Sequence, residues 1–142
     1  EAMTTLTRAA ADAVRPFSPH AVTDVTGFGL LGHAHEMAER SGVRLELDAD
    51  ALPLFPGVRE VVAAGVRTGG DVRNREFAGP HVEAAGVPED LVAAAYDPQT
   101  SGGLLVSLPA DRAAVLQAQL DVRGLFARRI GRVVDGAGVA LA

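Results

Sequence analysis

The sequence predicts an α/β (α+β) domain: one mixed β-sheet with helices packed mainly on one face. Three observations predict it. Apolar residues make up 48% of the 142 residues while only 4% are aromatic. A core of small and branched side chains suits helices laid closely on a sheet. Glycine (16) and proline (8) punctuate many short elements. Helical and period-two patterns follow one another in mixed rather than strictly alternating order. The length suits a single domain, 1–142, that can bury a core without staples.

Met3, Leu6, Ala9, Ala10 and Ala13 repeat at helical spacing, and Arg15-Pro16 ends that helix, because the residue before proline disfavours the α region. Ala21 to Val25 is short and partly β-branched, a strand. After the turn at Thr26-Gly27-Phe28-Gly29, residues Leu30, Leu31, Ala34, Met37 and Ala38 form one helical face. Gly42 suits the position just past that helix, where a left-handed residue is favoured. Val43, Leu45 and Leu47 alternate with Arg44, Glu46 and Asp48, a half-buried strand. Leu52 to Gly57 is a loop, and Val58, Val61, Val62 and Val66 mark a third helix.

Thr68 to Gly79 shows no apolar periodicity and is read as a long, irregular, mobile loop. A helix follows over 88–95. Leu104 to Leu108 is apolar except for Ser107, as in a strand covered on both faces. Ala113, Leu116 and Leu120 belong to a further helix. Arg129–Val134 and Val139–Leu141 read as two closing strands around Asp135-Gly136.

Net charge is −5 and no basic stripe stands out, so nucleic-acid binding has no electrostatic support. Arg128, Arg129 and Arg132 read as a solvated strand edge. The chain has no cysteine, which excludes disulfides and thiolate metal sites within it and fits a reducing, cytoplasmic setting. No apolar run approaches the roughly 20 residues that span a bilayer, and no secretory signal pattern opens the chain. The sequence starts at Glu1, without an initiator Met, and enters a helical pattern at once, as a piece of a longer protein would.

Two polar turns carry the chemistry. In the first, His20 to His33, a strand ends on an acid, turns on glycines and opens a helix. Asp24 offers hard oxygen to Mg²⁺, which is typically held by one or two carboxylates plus substrate phosphates. Thr26 suits a helix N-cap, and Gly27 and Gly29 permit close approach or unusual backbone angles. Free N–H groups at the helix start suit an anion. The same residues also suit a plain capped turn. The lysine of a phosphate-binding P-loop is lacking.

The second turn is Asp97-Pro98-Gln99-Thr100-Ser101-Gly102-Gly103. Thr100 and Ser101 expose donors and acceptors, and Gly102 lets a ligand or another backbone come close; a tight turn into the next strand explains them equally well. His33 and Glu36 share a helix face but make a poor metal site, since catalytic zinc usually needs three protein ligands. His35 points elsewhere, and His20 and His81 read as ordinary histidines. Asn74 with Arg73 and Arg75 suits an anion less well than plain solvation.

The strings Thr23-Asp24-Val25-Thr26-Gly27-Phe28-Gly29-Leu30-Leu31-Gly32-His33 and Asp97 to Leu105 closely resemble the selenophosphate synthetase (selenide, water dikinase) family. Between them, Gly69-Gly70 followed by Arg73-Asn74 is similar to that family's Gly-Gly…Asn segment, with Asp71 where a Thr is expected. The resemblance implies an aminoimidazole ribonucleotide synthetase C-terminal-domain-like fold, in the C-terminal domain of a longer two-domain enzyme. It implies an enzyme that makes monoselenophosphate from selenide, ATP and water with release of AMP and phosphate. That enzyme works as a homodimer with Mg²⁺ and commonly K⁺. Asp24 matches the metal-binding aspartate of this domain. Thr26, Gly27, Gly29, Thr100, Ser101 and Gly102, in the two polar turns, are the candidate cofactor-binding residues, and the resemblance implies that most of the ATP site lies on the missing N-terminal domain. The isolated piece is therefore expected to be inactive. The alternatives are another ATP-dependent enzyme of the wider superfamily, or a non-catalytic binding domain.

Overall fold

A computed structural model describes residues 7–142; the expected helix positions Met3 and Leu6 lie outside them. Helix α1 (Arg8–Val14) gives way to a 3₁₀ turn at Arg15–Phe17, where Pro16 falls, and Ser18 turns the chain with φ 49°. Strand β1 (Ala21–Asp24) leads to α2 (Gly29–Ser41), which Gly42 ends at φ 63°. After β2 (Arg44–Leu47), Asp48 caps a short 3₁₀ turn by accepting hydrogen bonds from the Asp50 and Ala51 amides. Helix α3 (Val58–Ala63) stops short of the expected Val66, because Gly65 sits at φ 86°.

The expected loop at Thr68–Gly79 is not a loop. It is helix α4 (Gly69–Ala78), whose buried positions are Asp71, Asn74 and Ala78. Its inner face is polar, so apolar periodicity does not reveal it. The chain continues through β3 (Val82–Glu83), which the sequence did not signal, α5 (Glu89–Tyr96), β4 (Leu104–Ser107), α6 (Ala110–Val122), β5 (Gly131–Val134) and β6 (Gly138–Leu141).

The strands are mixed, as expected, but divide into two sheets. β1 pairs with β4 antiparallel, while the other four run in the order β3-β6-β2-β5. β5 and β6 do not form a hairpin. They flank β2 on opposite sides, β5 antiparallel and β6 parallel, and β3 adds to β6 in parallel.

The period-two reading of β2 holds. Leu45 and Leu47 are buried with Val139 and Leu141 of β6 in the main core, beneath Leu31, Ala34 and Ala38 of α2. The opposite face carries the cross-strand pair Glu46–Arg132 at 2.6 Å. Arg132 is therefore paired with Glu46 on a strand edge, though still largely exposed.

β4 is covered on both faces. Leu105 joins the main core, and its neighbour Val106 packs on a second cluster of Ala13, Val14, Leu116 and Leu120 from α1 and α6. This alternation holds β4 between the two clusters, and β1 pairs along it, so that Asp24 ends its strand opposite Leu104 on an exposed face. Among the described residues, no helix is long and apolar enough to cross a membrane.

Candidate functional site

β1 and β4 end together, with Asp24 opposite Leu104. The two polar turns therefore leave the same end of one sheet, and the backbone stitches them together. The Val25 amide donates to Gly103 O at 2.9 Å, the Gly102 amide to Val25 O at 3.0 Å, and the Gln99 amide to Thr26 O at 3.0 Å. Gly102 is glycine because of this seam: a Cβ there would stand 2.8 Å from Val25 O. Of the two uses open to Gly102, close approach of another backbone is the one seen.

Asp24 is exposed and forms no ion pair or side-chain hydrogen bond with any described residue. Thr26 does not cap α2 with its hydroxyl. The helix opens three residues later, at Gly29, with Phe28 in the cap position and no side-chain cap bond. Instead Thr26 O accepts from the Gly29 and Gln99 amides. Thr26 Oγ1 lies 3.1 Å from His33 Nε2, and His33 Nδ1 faces Glu36 at 3.5 Å. Both ring nitrogens of this buried histidine are thus engaged. Gly27 is exposed and Gly29 buried against the Tyr96–Asp97 backbone. Thr100 is exposed and Ser101 half-buried.

Helix α4 adds a third component that the sequence assigned to a loop. Thr68 Oγ1 donates to Asp97 Oδ1 at 2.8 Å, and a Cβ on Gly70 would overlap the Pro98 ring. Asn74 is not an anion ligand. Its buried amide donates to Gly27 O and Tyr96 O, one carbonyl beside each turn. Asp71, also buried, accepts from Arg75 Nε at 3.1 Å, and Arg75 reaches Glu89 at 2.7 Å. Asp71 and Arg75 are therefore engaged with the protein, while Arg73 is exposed. The signal that would have found the helix is the i, i+3, i+7 spacing of Asp71, Asn74 and Ala78.

Phe28, in the first turn, rests against His33 and Phe77, and His35 stacks flat on His81 with centroids 4.2 Å apart. The Arg75 guanidinium stands over the Tyr96 ring, 5.0 Å from its centroid. Burial pushes the Tyr96 phenol above its ordinary value; Arg75 opposes this and Asp71 adds to it. The folded state thus holds this proton more tightly than the unfolded chain. Its contribution is complete below the ordinary tyrosine value and fades as pH rises through the elevated one. Tyr96 is the single tyrosine of the chain. We expect its phenolate absorbance to appear at higher pH in the native protein than after denaturation, and coincident titrations would contradict the burial argument.

Among the described residues, no group of three or more His, Cys, Asp or Glu side chains converges to hold a metal. The chain supplies one open carboxylate beside two stitched turns. That suits sharing a hard cation with phosphate oxygens and does not suit an all-protein metal cage.

The chain belongs to the family described as AIR synthase related protein, C-terminal domain, whose model matches residues 1–142. Within it, the chain is similar to selenide, water dikinases. It is 42% identical over 135 residues to that of Trichlorobacter lovleyi, covering 95% of this chain and 39% of the relative. It is 43% identical over 134 residues to selenide, water dikinase 2 of Peptoclostridium acidaminophilum, covering 94% and 39%. The chain thus spans about two fifths of the length of these relatives. Among solved structures, thiamine-monophosphate kinase from Stenotrophomonas maltophilia superposes with TM-score 0.63 at 28% identity, over 90% of this chain and 32% of that one. HypE of E. coli, a hydrogenase maturation protein, gives TM-score 0.71 at 24% identity, over 99% and 38%, and shows the shared fold.

Proposed function

We propose that this chain is the C-terminal domain of a selenide, water dikinase, and that it forms one wall of that enzyme's phosphoryl-transfer site. The reading rests on the Asp24 carboxylate, exposed and unpaired among the described residues, at the strand end where the two turns join. Its chemistry is that of a cation ligand shared with a substrate phosphate. A Mg²⁺ ion held there would neutralise charge on the phosphoryl oxygens.

The chain's own groups do the rest of the local work. The seam between the turns holds Asp24 in place, the start of α2 presents amides to anionic oxygens, and Thr100 and Ser101 offer hydroxyls at the rim. One carboxylate and two turns do not make a nucleotide pocket. We therefore assign most ATP contacts, and the groups that handle selenide, to an N-terminal domain outside this chain. The whole enzyme is proposed to be a cytoplasmic homodimer that uses Mg²⁺ and commonly K⁺.

The complete gene product should release AMP and phosphate from ATP in a selenide-dependent manner. ATP cleavage indifferent to selenide would instead favour another activity of the superfamily. The isolated chain 1–142 should release no AMP under the same conditions, and robust turnover by it would defeat the half-site reading.

A further inference from the structure

We propose that Asn74 is a positioning residue for this site: its buried amide locks the two turns to each other and sets the direction of the Gly27–Phe28 peptide. The proposal rests on the phosphoryl-transfer reading above and names a residue that the reading does not use.

Asn74 Nδ2 donates to Gly27 O at 3.0 Å and to Tyr96 O at 2.8 Å, and the residue is 4% exposed. Both partners are carbonyl oxygens, so only the amide nitrogen can stand between them, and both of its hydrogens are used. Gly27 belongs to the first turn, and Tyr96 immediately precedes the second. One side chain from α4 thereby bridges two segments some seventy positions apart in the chain (Gly27 and Tyr96).

The peptide unit is planar and trans, so its C=O and N–H point in opposite directions. Holding Gly27 O inward on Asn74 turns the Phe28 N–H away from Asn74. That N–H has no acceptor among the described residues. We assign it to a phosphoryl oxygen of the bound substrate. Without the Asn74 amide, the Gly27–Phe28 peptide is free to rotate and this donor loses its aim.

The mounting of Asn74 is rigid. Thr68 is bonded to Asp97, and Gly70 lies against Pro98 with no room for a Cβ. A residue held this firmly between two catalytic turns acts on the reaction through geometry rather than by contact with substrate.

The test is Asn74→Asp in the complete enzyme, because Asp keeps the shape and places an acceptor against two carbonyls. Val139→Ala, a buried change in β6, serves as the control for general destabilisation. Circular dichroism and thermal melting report folding. Asn74→Asp should lower kcat about 100-fold and change KM for MgATP less than about 3-fold, as loss of an aimed donor does. The Val139→Ala enzyme, though less stable, should keep kcat at a temperature where it is folded. If folded Asn74→Asp matches the control in kcat, or if its whole loss lies in KM, the proposal is wrong. Should Asn74→Asp fail to fold, Asn74→Ser, smaller and uncharged, takes its place under the same criteria. Absence of selenide-dependent AMP release in the unmutated enzyme is a separate result; it removes the functional reading, and this inference with it.

Discussion

Asp24→Asn in the complete enzyme is expected to lower turnover about 100-fold, equivalent to about 2.7 kcal/mol of barrier, while leaving the fold intact. The change keeps the volume and shape of the side chain. It removes one negative charge and replaces one hard oxygen with an amide nitrogen that cannot ligate Mg²⁺. Asp24 is exposed, and its carboxylate has no described partner inside the protein to lose. Stability should therefore move by no more than about 0.5 kcal/mol, as for other surface substitutions free of special contacts. Steady-state rates measured across a range of Mg²⁺ concentrations check the prediction. The variant should need more Mg²⁺ than the parent and should not recover full kcat. Identical rate curves would show that position 24 is not a ligand.

The parts of this site that were legible in the sequence share one property: their signal is local. The alternation of Leu45 and Leu47 with charged neighbours marks β2 because one face is dry and the other wet. Gly42 marks the end of α2 because a left-handed residue there favours glycine. Asp24, the glycines of the first turn and the run from Asp97 to Gly103 stand out by residue type alone.

What was not legible is non-local. The sequence does not state that Gln99 and Gly102 donate to Thr26 and Val25, since those bonds depend on β1 and β4 pairing across eighty positions (Asp24 with Leu104). Thr26 looked like a cap because helix starts favour hydroxyls, yet its hydroxyl meets His33 and two more residues precede the helix. β5 and β6 looked like a hairpin because a Gly-containing turn joins them, yet each pairs with β2. The largest departure is α4. Apolar periodicity assumes that the buried face of a helix is apolar, whereas here Asp71 and Asn74 are buried because Arg75 and two carbonyl oxygens satisfy them. A polar helix packed on polar turns is the departure expected if these turns form the proposed site, since local rules give way to the geometry a functional site needs.

Gly29→Ala should be the most damaging single-methyl change in the two polar turns. Gly29 sits at φ +68°, and a Cβ there would stand 2.6 Å from Tyr96 O, 2.7 Å from Tyr96 C and 3.0 Å from Asp97 O. These are backbone atoms of a second segment, so no rotamer change relieves the overlap. The left-handed conformation costs a non-glycine residue about 1–2 kcal/mol, and overpacking against a fixed wall adds about 1–3 kcal/mol. A total of about 2–5 kcal/mol is a large part of the roughly 5–15 kcal/mol that holds an ordinary domain folded. Gly42→Ala isolates the first contribution. Gly42 has φ +63°, and a Cβ there meets nothing within 4 Å, so only the conformational cost of about 1–2 kcal/mol applies. Denaturant titrations of both variants should place Gly29→Ala clearly below Gly42→Ala at similar m-values. Equal midpoints would mean that α2 does not press on the Tyr96–Asp97 backbone. The displacement also has a direction. Moving Tyr96 O away from Gly29 strains its hydrogen bond from Asn74, so one methyl group at the start of α2 should loosen both turns at once.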